Sequence, residues 1–207
     1  MDTDNKSVKV MHGFERRSHS LTYDHLVLAL GSVPNFHGMA GLEQRALTMK
    51  SLEDAILLRN RMIAHLEEAD PLYSVSSRHD LLTSVGAGGG FAGVETVAGI
   101  HDFMQSAIRS YSNLDPLQIR VVLVHAGAHL LPELGEQLGR YAERKLRERG
   151  IEVLTQRRLR SITDAGVTLD DGMFIGTSLW SGLRGTLLPP SLRGCRLLTE
   201  AVELIPT

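Results

Sequence analysis

The stretch that decides the fold is Gly86-Ala-Gly-Gly-Gly-Phe-Ala-Gly-Val-Glu. It contains the pattern G-x-G-x-x-G, with the three glycines at Gly88, Gly90 and Gly93. A short apolar run at residues 81–85 precedes it, and apolar residues at helical spacing follow it. A strand, a glycine turn and a helix in this order form the context in which the pattern binds the pyrophosphate of a dinucleotide.

Each glycine has a separate role in such a fingerprint. Gly88 makes the tight turn out of the strand, Gly90 lets a phosphate approach the backbone, and Gly93 lets the helix pack closely on the sheet. The phosphates then lie at the helix N-terminus, where N–H groups and the helix dipole favour negative charge. The alternative is a glycine-rich turn that only changes the direction of the chain.

Strands and helices alternate around the glycine turn, which favours a parallel sheet. Ser51, with Asp54 three residues later, predicts the start of a helix that ends before Pro71. The other predicted helices run from Phe91 and from Pro132, the latter with an inner stripe at Leu134, Leu138, Ala142 and Leu146. Buried strands are predicted at residues 81–85, 119–124 and 151–154, followed by short antiparallel strands at 161–163, 167–169 and 173–175 and a last strand at 177–180. The predicted fold class is α/β, a Rossmann-like parallel sheet with an antiparallel β-meander.

The N-terminal part of the chain is predicted to contain two further strands. Residues 8–11 form one, and the continuous apolar run at residues 26–30 predicts a second that is covered on both faces. Residues 32–47 contain proline and glycine and are predicted to be a connector.

Composition excludes several classes of protein. The chain has 207 residues, 43% of them apolar, and a formal net charge of −2, so nothing indicates nucleic acid or an anionic membrane as a partner. No apolar run approaches the roughly 20 residues that span a bilayer, and the N-terminus does not resemble a signal peptide. The single cysteine, Cys195, excludes an internal disulfide. We therefore expect a soluble cytoplasmic domain.

One element of the fingerprint is missing. An acidic residue is expected at the end of the second strand, where it binds the ribose 2′-OH. That strand ends at Val124 and His125, and Asp115 lies before it begins. Three roles are open for His125: a hydrogen bond to ribose, contact with a 2′-phosphate when protonated, or a strand-end histidine in solvent. His125 and His129 lie on a strand end and a loop rather than on one helical face, so no metal site is predicted.

Glu95 follows the last glycine of the fingerprint by two residues. This position places it near where the nicotinamide end of a bound cofactor reaches. A carboxylate in the first turn is also what the helix dipole favours without any ligand.

Several linked segments resemble type II NADH:quinone oxidoreductases, which are flavoproteins with two dinucleotide-binding domains. The resemblance covers roughly residues 20–182 in the order and approximate spacing of that family. The segments are YDHLVLALGS at residues 23–32, TMKSLEDA at 48–55, GGGFAGVE at 88–95, LPEL at 131–134 and the strand with Leu179 and Trp180.

This resemblance implies two nested domains, with FAD bound in the outer one and NADH in the inserted one. Hydride would pass from NADH to FAD, and electrons would continue to a quinone, so the cofactors carry the chemistry and no catalytic side chain is assigned. The parent enzyme would be peripheral to the membrane on its cytoplasmic face, through segments missing here. By this match, NAD(H) contacts come from Gly88, Gly89, Gly90, Phe91, Ala92, Gly93, Glu95 and His125, and FAD contacts from Leu30, Gly31 and Ser32.

The chain also departs from the family pattern. Nothing before Tyr23 provides the G-x-G-x-x-G expected for FAD, and the residues after Trp180 lose the expected Thr-Ala-Gly pattern. We therefore expect an internal fragment: a partial FAD domain with connector at residues 1–45, an NAD(H)-binding domain at 46–182 and a divergent tail at 183–207. The expected function is the NADH-binding part of an NADH dehydrogenase. The alternatives are a non-catalytic remnant and a nucleotide-binding module without turnover.

Overall fold

The computed structural model describes residues 2–29, 33–34, 47–71, 75–182 and 186–187. The chain forms two compact units, one of residues 1–33 with 188–207 and one of residues 34–187. In the first unit, β1 (Ser7–His12) and β2 (Arg17–Thr22) form an antiparallel hairpin. The strand predicted at 8–11 is confirmed as part of β1. Every residue of β2 is exposed, so this strand has no apolar pattern from which it could be predicted.

The strand predicted at residues 26–30 is wrong for its described part, because residues 26–29 form no strand. Leu26 is 37% exposed and Val27 is 85% exposed, so the run is not covered on both faces. An apolar run becomes a strand only where a neighbouring strand completes its backbone hydrogen bonds. Leu30 lies outside the described residues.

The larger unit is built on a four-stranded parallel sheet. Its strands are β4 (Thr83–Ala87), β5 (Arg120–Val124), β6 (Ile151–Leu154) and β10 (Leu179–Gly182), in the order β10-β4-β5-β6. A separate antiparallel sheet contains β7 (Leu159–Thr163), β8 (Gly166–Leu169) and β9 (Phe174–Gly176). The two-residue strands are β3 (Val33–Pro34) and β11 (Thr186–Leu187). The parallel sheet with an antiparallel meander confirms the predicted fold class.

Four helices are described. They are α1 (Leu52–Ala69), α2 (Val75–Leu82), α3 (Phe91–Ala107) and α4 (Glu136–Glu148), with 3₁₀ turns at Ile108–Ser110, Pro116–Gln118 and Pro132–Leu134. The capping box predicted for α1 is confirmed. The Asp54 N–H donates to Ser51 Oγ at 3.2 Å, and the Ser51 N–H donates to Asp54 Oδ2 at 3.1 Å. In the part of the chain that the structure describes, no helix is long and apolar enough to cross a membrane.

The two faces of the parallel sheet are covered by different layers. Alternate residues of β5 show this division, since Val121 and Leu123 pack with the helices while Val122 and Val124 pack with the meander. All four side chains are buried, which is why this strand is apolar throughout rather than alternating.

Residues 81–85 were predicted as one strand, but Leu81 and Leu82 end α2 and the strand begins at Thr83. The Thr83 hydroxyl donates to the carbonyl oxygen of His79 at 2.7 Å, as in a continuing helical turn. Both leucines are buried in the helix-side core. A short apolar run does not by itself distinguish the end of a helix from a buried strand.

The helix predicted from Pro132 begins instead at Glu136. Gly135 interrupts the predicted helix, because its φ of +79° is a left-handed conformation that an α-helix cannot include. Leu134 and Leu138 are 44% and 49% exposed, so their assignment to the inner stripe is wrong. Gly139 and Leu146 are the buried residues of α4.

Candidate functional site

The glycine turn leads directly from β4 into α3. Gly88 has φ +114°, in the region that favours glycine. Its N–H donates to the carbonyl oxygen of Val124 at 2.9 Å, which ties the turn to the end of β5. The tight turn assigned to Gly88 from the sequence is therefore present.

Gly90 and Gly93 lack a side chain for different reasons. Gly90 is the N-cap of α3, and a Cβ built on it meets only Glu133 Oε1, at 4.0 Å. A Cβ on Gly93 would overlap the carbonyl oxygen of Gly88 and lie 2.9 Å from the Gly88 carbonyl carbon. Gly93 is thus required by close packing of the backbone, whereas Gly90 leaves open space beside the helix N-terminus.

This geometry fits an anionic group. The first-turn N–H groups of a helix have no acceptor within the helix, and no side chain caps the N-terminus of α3. These N–H groups and the positive end of the helix dipole favour a phosphate at that position. The open space at Gly90 gives such a phosphate access to the backbone, so the turn and helix terminus fit a pyrophosphate.

His125 lies beneath the glycine turn rather than in solvent. Its Nδ1 accepts a hydrogen bond from the Gly89 N–H at 3.0 Å, and a Cβ on Gly89 would lie only 2.5 Å from the His125 Cγ. The solvent-exposed role considered for His125 is therefore wrong. An accepting Nδ1 carries no proton, so a doubly protonated ring that contacts a 2′-phosphate is incompatible with this bond.

Asp115, the carboxylate nearest the expected spacing, has a structural role before β5. It is the N-cap of the 3₁₀ turn Pro116–Gln118, where its Oδ1 accepts from the Leu117 N–H at 2.8 Å. In the described part of the chain, the strand-end carboxylate expected to bind ribose is therefore not found next to β5.

Sequence reasoning gave no role to the loop that follows β5, although it contributes to the site. The Leu131 N–H donates to the Gly89 carbonyl oxygen at 2.7 Å. Leu131 has φ +50° and precedes the 3₁₀ turn that carries Glu133. This turn brings the Glu133 carboxylate beside Gly90. The only sequence signal was the Leu-Pro-Glu segment in the family resemblance.

The other predicted contacts are placed as follows. Phe91, at the first position of α3, is 49% exposed, and Ala92 is exposed as well. Glu95 lines a groove of about 340 Å³ between α1 and α3, together with Met49 and Arg59. Leu30, Gly31 and Ser32 lie outside the described residues. The cofactor contacts assigned to these residues stay predictions.

No group of three or more His, Cys, Asp and Glu side chains that could hold a metal ion is found among the described residues.

Comparison with known proteins gives matches over most of the chain. Residues 1–178 match the family described as pyridine nucleotide-disulphide oxidoreductase. The external alternative NAD(P)H-ubiquinone oxidoreductase B1 of Arabidopsis thaliana mitochondria is 33% identical over 176 residues, 81% of this chain and 31% of the relative. The type II NADH:quinone oxidoreductase Ndh of Mycobacterium tuberculosis is 29% identical over 150 residues, 72% of this chain and 32% of the relative.

Solved structures show the same fold. NDH2 of Plasmodium falciparum in complex with NADH matches with a TM-score of 0.77 and 21% identity, over 91% of this chain and 40% of that one. The chain spans about a third of the length of the curated relatives it matches.

Proposed function

The chain belongs to the pyridine nucleotide-disulphide oxidoreductase family, and from this premise we propose that it is the NADH-binding part of a flavin-dependent NADH dehydrogenase. The observation that carries the proposal is the glycine turn, where Gly93 packs on Gly88 and Gly90 leaves the N-terminus of α3 open. Membership of the family by itself supports an oxidoreductase module.

In this proposal the residues of the chain bind and orient rather than react. The first-turn N–H groups of α3 hold the pyrophosphate, and His125 keeps Gly89 in place through its hydrogen bond. FAD, when bound, supplies the group that accepts hydride from the nicotinamide. The residues predicted to contact FAD lie outside the described part of the chain.

The final electron acceptor in this proposal is a quinone. Support comes from relatives named as ubiquinone or quinone oxidoreductases. A peripheral location on the cytoplasmic face of the membrane belongs to the same proposal.

The first test is a titration with NADH followed by nicotinamide fluorescence. We expect saturable binding, and we expect Gly90→Val to weaken it at least tenfold because the side chain fills the space of the pyrophosphate. The variant should melt within a few degrees of the wild type, since the nearest atom to a Cβ at Gly90 is 4.0 Å away. Gly99→Ala, in the same helix with nothing within 4 Å of its Cβ, is the matched control. No fluorescence response at millimolar NADH would contradict the proposal.

A second test separates electron transfer from binding alone. The protein is purified, mixed with FAD, and assayed for NADH oxidation with a soluble quinone analogue. Turnover supports the dehydrogenase. Saturable NADH binding without turnover favours the alternative of a nucleotide-binding module.

A further inference from the structure

The nucleotide site lacks the strand-end carboxylate that normally contacts ribose. In the dinucleotide fingerprint this group follows the second strand and distinguishes a ribose hydroxyl from a 2′-phosphate. Here His125 occupies that position, and its Nδ1 is engaged by the Gly89 N–H at 3.0 Å. A carboxylate that selects between NADH and NADPH would therefore have to come from another position in the chain.

Glu133 supplies a carboxylate at the same site from the loop after β5. Its Oε1 lies 4.0 Å from the Cβ position of Gly90, beside the N-terminus of α3. The loop is fixed there, because the Leu131 N–H donates to the Gly89 carbonyl oxygen at 2.7 Å and Pro132 restricts the following turn.

The Glu133 carboxylate is available for a ligand. In the described part of the chain, no ion pair or hydrogen bond engages it, and the residue is exposed. Glu136, three residues later, differs because Arg140 pairs with it at 2.6 Å. Glu133 therefore presents an uncompensated negative charge near the phosphate position, whereas Glu136 does not. Repulsion of the pyrophosphate by Glu133 is common to NADH and NADPH, so it does not affect the ratio of their affinities.

The position of the Glu133 carboxylate places its charge on the adenosine side of a bound dinucleotide. Gly90 is where the pyrophosphate approaches the backbone, and the pyrophosphate is bonded to both riboses of the cofactor, so the strand order decides which ribose lies on this side. The strand whose end faces the adenosine ribose in the fingerprint corresponds to β5, and Glu133 follows β5 in the chain. A 2′-phosphate would bring roughly 1.5 to 2 further negative charges to that ribose.

We propose that Glu133 is a specificity-determining residue that favours NADH over NADPH. Its carboxylate accepts a hydrogen bond from a ribose hydroxyl and repels a 2′-phosphate. This inference rests on the proposed function, because it requires a dinucleotide at the glycine turn.

The experiment measures dissociation constants of NADH and NADPH by nicotinamide fluorescence for the wild type and for Glu133→Gln. We expect the wild type to prefer NADH, and the ratio of the NADPH constant to the NADH constant to fall about tenfold in the variant. Glu136→Gln removes a carboxylate three residues away whose charge is already paired, so its ratio should match the wild type. Glu133→Asp, which keeps the charge, should retain most of the preference. Raising the salt concentration should reduce the wild-type preference, because salt screens exposed charges.

The outcomes distinguish this inference from the proposed function. If the wild type binds neither nucleotide, both fail. If it binds NADH and the ratio is the same in Glu133→Gln and the wild type, the proposed function stands and the role of Glu133 is overturned. An equal fall of the ratio in Glu136→Gln would also overturn it, since a general change in net charge would then explain the result. Melting temperatures of the variants confirm that each is folded.

Discussion

At the scale of single residues, Gly93 is the described glycine at which an added Cβ would come closest to another atom. Its Cα faces the carbonyl of Gly88, so a side chain there meets backbone rather than the flexible end of another side chain. Backbone atoms in a packed turn cannot move aside without disturbing β4 and α3 together. The close approach of α3 to the turn after β4 therefore depends on the absence of a side chain at Gly93.

We expect Gly93→Ala to lower the free energy of unfolding by about 2 to 3 kcal/mol through overpacking. NADH binding should weaken as well, because the turn must shift. The control is Gly99→Ala in the same helix, where nothing lies within 4 Å of the Cβ and the change should stabilise the fold by about 0.5 to 1 kcal/mol. Urea denaturation measures the free energy of unfolding of both variants. Equal values for Gly93→Ala and Gly99→Ala would contradict the close contact at Gly93.

The site residues show what could be predicted and why. The spacing of the glycines assigned roles to Gly88, Gly90 and Gly93 because the fingerprint is local in sequence. Its link to His125 spans 36 residues, and the approach of Glu133 depends on the path of a loop. Neither has a periodic signal in the sequence, so both required the structure.

At the scale of elements, α1 begins where the sequence predicts, but it also contains a buried histidine, His65, that the sequence did not predict. Leu58, Met62 and Leu66 form the expected apolar stripe and are buried. His65 lies beside them at 5% exposure, and its Nδ1 has no hydrogen-bond partner among the described residues. Burial, with a smaller contribution from the charge of Arg61, lowers the pKa of His65 from 6.5 to about 4.

This buried histidine makes stability depend on pH. The unfolded chain binds a proton near pH 6.5 while folded His65 does so only near pH 4, so acidification favours the unfolded state between these values. We expect full stability above about pH 7 and a loss of about 3 kcal/mol from this group by pH 4. Urea denaturation at several pH values measures the loss. His65→Leu should remove this part of the pH dependence, and an unchanged pH profile in that variant would contradict the assignment.

At the scale of the whole molecule, two cores share the strands of one sheet in the larger unit. Val122 and Leu123 are adjacent in β5 and fully buried, yet the first packs with the meander and the second with the helices. Both layers pack on the same strands, so loss of packing in one layer disturbs the strands that support the other. The fold class was predictable from the alternation of strands and helices, but the division of residues between two cores was not, because apolar runs do not say which layer covers each face.

We expect the two layers to unfold in a single transition. Trp180, the only tryptophan in the sequence, is 6% exposed in the meander-side core and reports on that layer, while far-UV circular dichroism reports mainly on the helices. Leu123→Ala, on the helix side, should lower stability by about 3 kcal/mol and shift both signals together. Val122→Ala, on the other face, should also shift both signals. Different unfolding midpoints for tryptophan fluorescence and circular dichroism would contradict a single transition.

The path of the backbone through the larger unit has one more consequence. The Leu47 N–H donates to the carbonyl oxygen of Trp180 at 3.2 Å, and Leu47 forms a parallel bridge with Ser181. The segment between them contains the whole parallel sheet, yet its two ends lie one strand spacing apart, about 4.8 Å. Residues 47–182 therefore begin and end side by side, an arrangement of chain ends that is compatible with insertion within another domain.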